Sequence, residues 1–416
     1  MGSISDIALG LDTVWVLVAA FLVFFMQAGF GMLEAGFIRA KNATNILTKN
    51  FLDFCMASLG FFLFGYAIMF GGDGAFMGTR GWLLINAESG AKVPLYAFWL
   101  FQAVFCGAAA TIVAGGMAER MRFPAYLIYS FLISAVVYPI VGHWVWGGGW
   151  LANIDFADFA GSTVVHTTGG IAALVGTIIL KPRLGKYRAD GSPNLIAGHN
   201  IPLASLGVFI LWFGWFGFNP GSTLGVGDGS LIARVAINTN LAAATGGIFA
   251  MVAVWISTKK ADLSMAMNGA LAGLVAITAP CAFVEPIAAI AIGAIGGVIV
   301  VLGASALDKL HIDDPVGAVP VHGINGIWGT LAIGIFGRES LGVARDGLVY
   351  GGGFTQLGVQ LAGALAVAAF VFVAMGIIFK LIDLTIGLRV PPDEEYRGLD
   401  IGEHGLESYS GFQIIN

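Results

Sequence analysis

The chain has 416 residues, of which 57% are hydrophobic and only 11% are charged. Soluble domains carry about 25% charged residues, so this composition excludes an ordinary soluble protein and favours a polytopic helical membrane protein. A formal net charge of −5, distributed over the connecting loops, gives no indication of a nucleic-acid partner.

The apolar runs predict an all-α polytopic membrane protein with eleven transmembrane helices, because each run is long enough to cross a bilayer. Most charged residues fall between the runs, and the first 10 and last 33 residues lie outside the membrane. In chain order, the predicted spans are roughly 12–38, 50–71, 95–118, 123–144, 162–181, 201–220, 233–257, 264–281, 284–304, 318–336 and 354–383.

The Lys and Arg residues predict the orientation, because basic loops stay on the cytoplasmic side. With alternating spans, one side receives 15 of the 20 basic residues and the other side receives 5. The side with fewer contains Arg80, Lys92, Arg234, Arg338 and Arg345. The N-terminus is therefore predicted outside and the C-terminus in the cytoplasm, which requires an odd number of spans.

A motif occurs twice in the chain, around His166 and around His322. Each histidine follows an Asp by eight residues, Asp158 in the first copy and Asp314 in the second. The first copy begins span five from the outside and the second begins span ten from the cytoplasm. This arrangement predicts a 5+5 inverted repeat followed by one further helix, with a binding site near the midplane where the halves meet.

Ionisable side chains inside a membrane span indicate function, and here two of them occupy equivalent repeat positions. Eight residues of helix place each histidine about 12 Å from its Asp. Both rings should be mainly neutral, since desolvation disfavours the imidazolium. A purely structural histidine pair between helices is the alternative.

Several segments besides this motif resemble the ammonium transporter (Amt/Mep/Rh) family, and most closely its prokaryotic Amt branch. They follow the family's order across nearly the whole chain. The matching segments are Phe101-Gln102 to Phe105, Ala118 to Phe123, Trp146 to Gly149, Asp158 to His166, Trp215 to Ser222 and Asp314 to Gly323.

The resemblance implies a transmembrane transporter domain over 1–385, in the plasma (cell inner) membrane, and a cytoplasmic tail over 386–416. Within the first, repeat one covers about 12–181, repeat two about 201–336, and the last helix about 354–383. The resemblance also implies a homotrimer, with the tail lying against neighbouring subunits and able to contact a PII-type regulatory protein. A mobile solvated tail is the alternative.

Uptake of ammonium is the implied function, and its site residues follow from the matching segments. Trp146, Phe105 and Ser222 would recruit the cation outside; Phe105 and Phe218 would form the gate. His166 and His322 would form the pore centre. A membrane-interface role for Trp146 and a helix-packing role for the Phe residues are the alternatives.

Asp158 and Asp314 are predicted to be structural, capping the orphan N–H groups of a helix start. The resemblance adds an electrostatic role for Asp158 at the outer site.

Two other functions stay open: an electroneutral ammonia or carbon dioxide channel of the Rh kind, and a nitrogen sensor. Trp146 and Ser222 favour the transporter, because a neutral gas needs no cation site. An enzyme is not expected, since no nucleophile–base set is visible. No cofactor or metal is predicted either, because neither a GxxxxGK[ST] motif nor zinc-ligand spacing occurs.

Overall fold

A computed structural model describes residues 4–409, and in this range the regular secondary structure is helical, with two isolated β-bridges in the connections. Ten of these helices are long and apolar enough to cross a membrane, and one further apolar helix is shorter. The eleven are α1 Ile4–Phe37, α2 Ala40–Phe70, α3 Leu95–Met117, α4 Phe123–Val145, α5 Ser162–Leu180, α6 Ile201–Thr223, α7 Gly229–Thr258, α8 Leu263–Thr278, α9 Pro286–Lys309, α10 Val319–Phe336 and α11 Thr355–Thr385. Two short helices follow, α12 Pro392–Arg397 and α13 Leu399–His404. The all-helical prediction is confirmed.

The predicted boundaries are wrong at the start of the second span, which begins near residue 40 and not at 50. Lys49 therefore lies inside α2, where it is buried, and its amine donates to the carbonyl of Met121 at 2.6 Å. Hydropathy alone missed this stretch of helix, because it counts Lys49 as a polar loop residue and cannot show that its amine is bound by a carbonyl in the connection between α3 and α4.

Glycines allow several of these helices to approach until their backbones touch. A Cβ on Gly36 of α1 would lie 2.5 Å from the carbonyl oxygen of Asn200, and one on Gly207 of α6 would lie 2.4 Å from the amide of Leu33. Without a hydrophobic driving force between helices in lipid, such close packing by small residues is a main source of association.

The two motif helices, α5 and α10, also cross at glycine. A Cβ on Gly170 would lie 2.0 Å from the amide nitrogen of Gly323. Gly326 faces α5 in the same way, because its Cβ would lie 2.6 Å from the hydroxyl of Thr167. Since Gly170 follows His166 by four residues and Gly323 adjoins His322, this crossing brings the two histidines together.

The described part of the predicted tail, up to residue 409, lies against the starts of α2 and α4 in its own chain; residues 410–416 lie outside the described range. The Asp400 carboxylate accepts from the backbone amides of Thr44 and Asn45 at 3.0 and 2.8 Å. The Glu403 carboxylate accepts from the amide of Phe123 at 2.7 Å. These contacts cap the starts of α2 and α4 and hold residues 399–404 in place.

Candidate functional site

The two motif copies begin with the same backbone-binding arrangement at their aspartates. The Asp158 carboxylate accepts hydrogen bonds from the amides of residues 161–164, at 2.7 to 3.0 Å. The Asp314 carboxylate accepts from the amides of residues 317–319, at 2.7 to 3.1 Å. Each carboxylate thus accepts hydrogen bonds from orphan N–H groups at the start of a helix.

A π-helical turn carries the histidine in both copies, over Ser162–Thr167 and over Val319–Ile324. π-turns are rare and are found mostly at functional sites, where the wider turn changes the direction of a side chain. The repeat is therefore preserved in local backbone geometry as well as in sequence.

The rings of His166 and His322 lie beside each other in the interior, 1% and 4% exposed. Their centroids are 5.2 Å apart and their Nδ1 atoms are 3.2 Å apart. One Nδ1 must carry the hydrogen and the other must accept it, so the pair cannot consist of two imidazolium ions. The Nε2 of His166 has no hydrogen-bond partner within residues 4–409, which leaves it available to a small polar molecule.

A series of aromatic rings extends from this histidine pair to Trp146. Phe105 stacks on Phe218 with centroids 4.0 Å apart, and Phe218 lies 5.4 Å from the His166 ring. Trp146 packs edge-on to Phe105 at 6.3 Å. Phe105 and Phe218 are fully buried, whereas Trp146 is half-buried, so the series runs from a partly exposed indole to the enclosed histidines.

The outer residues are fixed by hydrogen bonds to the backbone. The indole N–H of Trp146 donates to the carbonyl of Asp158 at 2.8 Å, which ties the outer ring to the first motif. The hydroxyl of Ser222 donates to the carbonyl of Phe218 at 2.8 Å. With its hydrogen used in this way, the Ser222 oxygen can only accept, which suits a ligand that donates N–H groups.

Trp215 and Phe30 also contact the histidines, and the sequence analysis assigned no role to either. Trp215 stacks on His166 at 5.2 Å, and its indole N–H donates to the hydroxyl of Thr278 at 2.9 Å. Phe30 lies 6.2 Å from the His322 ring. Trp215 precedes Phe218 by three residues, and residues at this spacing share one face of a helix. This spacing could have predicted that Trp215 lies at the same site as Phe218.

A buried ionic cluster lies beside the second motif. The Arg183 guanidinium binds the Asp313 carboxylate at 2.8 and 2.9 Å, next to the capping Asp314. Burial alone would raise the pKa of Asp313, but the hydrogen bonds and charge of Arg183, with the charge of Arg120, hold that pKa at about 2. Asp313 is therefore ionised over the physiological range.

This geometry places a stacked pair of aromatic rings between a half-buried indole and two hydrogen-bonded imidazoles. Aromatic rings contact one another around Phe105, Phe218 and His166. A bare ion would lose its hydration without compensation there, whereas a neutral molecule with a lone pair could hydrogen-bond to an imidazole N–H.

The sequence matches the profile of the Ammonium Transporter Family over residues 14–409. Ammonium transporter Amt2 from Archaeoglobus fulgidus is 49% identical, covering 97% of this chain and 89% of that protein. The ammonium transporter of Bacillus subtilis is 38% identical, covering 96% of this chain and 98% of its own length.

Solved structures give the same result at the level of the fold. A protein described as a Sensor Amt Protein superposes with a TM-score of 0.91 at 40% identity, covering 96% of this chain and 100% of that one. Candida albicans Mep2 superposes with a TM-score of 0.85 at 32% identity, covering 92% of this chain and 87% of that one.

Proposed function

Since the chain belongs to the ammonium transporter family, we propose that it takes up ammonium by binding the cation at Trp146, removing a proton and conducting ammonia past His166 and His322. Net charge would cross with each ammonia, as the proton follows by a separate route. One observation carries this proposal: the indole of Trp146 packs on the stacked rings of Phe105 and Phe218. Phe218 in turn lies beside the hydrogen-bonded pair of His166 and His322.

The energetic argument starts from the cost of moving an ion through an apolar passage. An isolated ion in a low-dielectric interior costs tens of kcal/mol. For an amine with a pKa near 10, deprotonation at pH 7 costs only about 4 kcal/mol. A passage that admits the neutral molecule alone therefore excludes Na⁺ and K⁺, which have no proton to lose.

Trp146 would supply the recruiting interaction, because an indole face attracts a cation by about 0.5–2 kcal/mol. The Ser222 oxygen would accept one N–H bond. The stacked rings of Phe105 and Phe218 would keep the passage closed to hydrated ions. Beyond this gate, His166 and His322 would replace the lost water by hydrogen-bonding to ammonia or by relaying its proton.

The test is the current recorded from purified protein in a supported membrane after an ammonium concentration jump. We expect a saturable current for the unaltered chain and none for His166→Ala. A control, Trp82→Leu, alters an exposed indole that packs on Phe64 away from the site and should leave the current unchanged.

Ammonia entry without any current would contradict charge transfer and favour the electroneutral channel. To detect it, the internal pH of the vesicles is recorded in parallel, since ammonia that enters takes up a proton inside. Trp146 argues against this alternative, because a neutral gas gains little from an indole face.

The organisation around this function is also proposed. The N-terminus lies outside and the C-terminus in the cytoplasm of the plasma membrane, as the basic residues indicate. The chain comprises a transporter domain, 1–385, and a cytoplasmic tail, 386–416, and it assembles as a homotrimer. The tail, docked near Thr44 and Phe123, offers a surface for a PII-type regulator or for a sensory role. Crosslinking of the intact membrane protein tests the assembly.

A further inference from the structure

A cavity opens on the far side of His322 from the aromatic gate, and its lining includes one carboxyl group. Apolar side chains such as Phe30, Leu33 and Val321 form most of the wall. Among the residues that line it, only His322 and Glu34 are ionisable. Glu34 is 2% exposed, so this carboxyl is enclosed within the protein at the inner end of the proposed passage.

The Glu34 side chain is held by one of its two oxygens. Its Oε2 accepts from the side-chain amide of Asn50 at 3.1 Å. No hydrogen bond to Oε1 is recorded within residues 4–409. A Cβ added to Gly115 would lie 3.3 Å from this Oε1, so the glycine leaves room beside it. One oxygen is thus anchored and the other is available to a ligand.

Asn268 provides a second acceptor in the same wall. It is 6% exposed, and its amide nitrogen donates to the carbonyl of Val316 at 3.2 Å. Its carbonyl oxygen Oδ1 has no partner in the part of the chain that the structure describes. Buried acceptors are normally satisfied, so an unpaired oxygen lining a cavity indicates a donor that occupies the cavity.

The charges around Glu34 favour a cation. Two further carboxyls, Asp53 and Asp314, and the amine of Lys49 lie close enough to act on it. The Lys49 amine is bound to the carbonyl of Met121, and Asp314 is bound to backbone amides. Among the described residues, Glu34 therefore has no cationic partner of its own, and a buried carboxyl in this situation either keeps its proton or binds a cation.

We propose that Glu34 and Asn268 form an inner binding site for an ammonium ion, on the cytoplasmic side of the histidine pair. The inference rests on the proposed transport function. Four N–H donors of ammonium match acceptors of this kind: a carboxylate that neutralises the charge and an amide oxygen that takes a second hydrogen.

The site predicts a difference between the two sides of the membrane. Ammonium arriving from outside meets Trp146 first, whereas ammonium arriving from the cytoplasm meets Glu34 first. Glu34→Gln, which keeps the shape and removes the charge, should raise half-saturating ammonium by about tenfold for jumps on the cytoplasmic side, because hydrogen bonds to a charged group are the strong ones. Half-saturation from the outside should stay unchanged.

Currents are recorded from right-side-out and inside-out vesicles of the full chain after ammonium chloride jumps. Trp146→Leu serves as the mirror control and should affect only the outer side. Asp190→Asn removes an exposed carboxylate from a connecting loop and should change neither value. Glu34→Asp, which keeps the charge, should retain most of the cytoplasmic affinity.

Half-saturating concentrations that are unchanged in Glu34→Gln, or raised equally on both sides, would overturn the inner site. The proposed transport function would then still be supported by the wild-type current. A wild-type chain that gives no saturable current in either orientation would overturn both proposals. Elution as a single species by size exclusion verifies that each variant is folded.

Discussion

The Nδ1 atoms of His166 and His322 lie 3.2 Å apart although 156 residues separate them in sequence. A single hydrogen occupies this contact. The ring that donates it keeps an acceptor at its Nε2, and the ring that accepts it, when neutral, carries a hydrogen at its own Nε2. The pair thus presents a donor to one side of the passage and an acceptor to the other. Reversing this order requires the shared hydrogen to move between the Nδ1 atoms while one Nε2 loses a hydrogen and the other Nε2 gains one.

The outer aromatic residue should determine apparent affinity. We expect Trp146→Leu to raise half-saturating ammonium several-fold for outside jumps, since a cation–π contact contributes about 0.5–2 kcal/mol. Trp146→Phe keeps a ring but loses the hydrogen bond to the Asp158 carbonyl, so an intermediate value is expected. The half-saturating ammonium concentration of the current is measured for both variants. An unchanged concentration in Trp146→Leu would contradict the proposal that Trp146 recruits the cation.

The two capping aspartates should differ in their tolerance of an amide. In Asp158→Asn, the new NH₂ group would face two backbone donors, from Thr163 and Val164; in Asp314→Asn it would face one, from Val319. Each lost bond to a charged acceptor costs about 1.5–3 kcal/mol. Thermal unfolding in detergent should therefore show a lower midpoint for Asp158→Asn. Equal midpoints would argue against the capping role.

The crossing of α5 and α10 should not tolerate a methyl group. Gly170→Ala would place its Cβ 2.0 Å from the Gly323 amide, so the helices must separate and the histidine rings must part. We expect loss of the ammonium-induced current. The matched control is Gly358→Ala on α11, whose Cβ would meet nothing within 4 Å. That variant should keep its current, with stability raised by up to about 1 kcal/mol.

The Asp313–Arg183 pair should make stability depend on acidic pH. The pKa of Asp313 is held at about 2 in the fold, below the usual value near 3.9 for an unfolded chain. Its contribution is therefore present above about pH 4 and is lost as pH falls toward 2, a loss of about 2 kcal/mol. The thermal unfolding midpoint of the unaltered chain should fall as pH is lowered from 5 to 2.5. The midpoint of Asp313→Asn should fall less steeply over the same range. Parallel curves would contradict the assignment.

Much of the architecture is predictable from the sequence because the membrane acts on local composition. A span must be apolar over about 20 residues, and this length can be counted along the chain. The repeated motif paired His166 with His322 because equivalent repeat positions in opposite orientations meet at the midplane. The residues around Trp146 and Phe218 were located through the family resemblance and not through their spacing.

Contacts between residues far apart in the sequence could not be predicted from composition or hydropathy. Lys49 was excluded from a helix on composition, yet the Met121 carbonyl accommodates its amine. In the sequence, Glu34 lies near the end of a span and nothing marks it as functional. In the structure, α1, α8 and α10 enclose it together with Asn268 and His322. The contact between the tail and Thr44 of its own chain was likewise not predicted.

The sequence by itself therefore determined the class of protein and the helices, because hydropathy and periodicity are properties of neighbouring residues. It also determined the repeat, and through the repeat the pairing of the histidines. Only the tertiary structure decided the shared hydrogen between the Nδ1 atoms, the stacking of Phe105 on Phe218 and the enclosure of Glu34. Each of these depends on distances between residues far apart in the chain, which are set when glycine-lined helices close on one another.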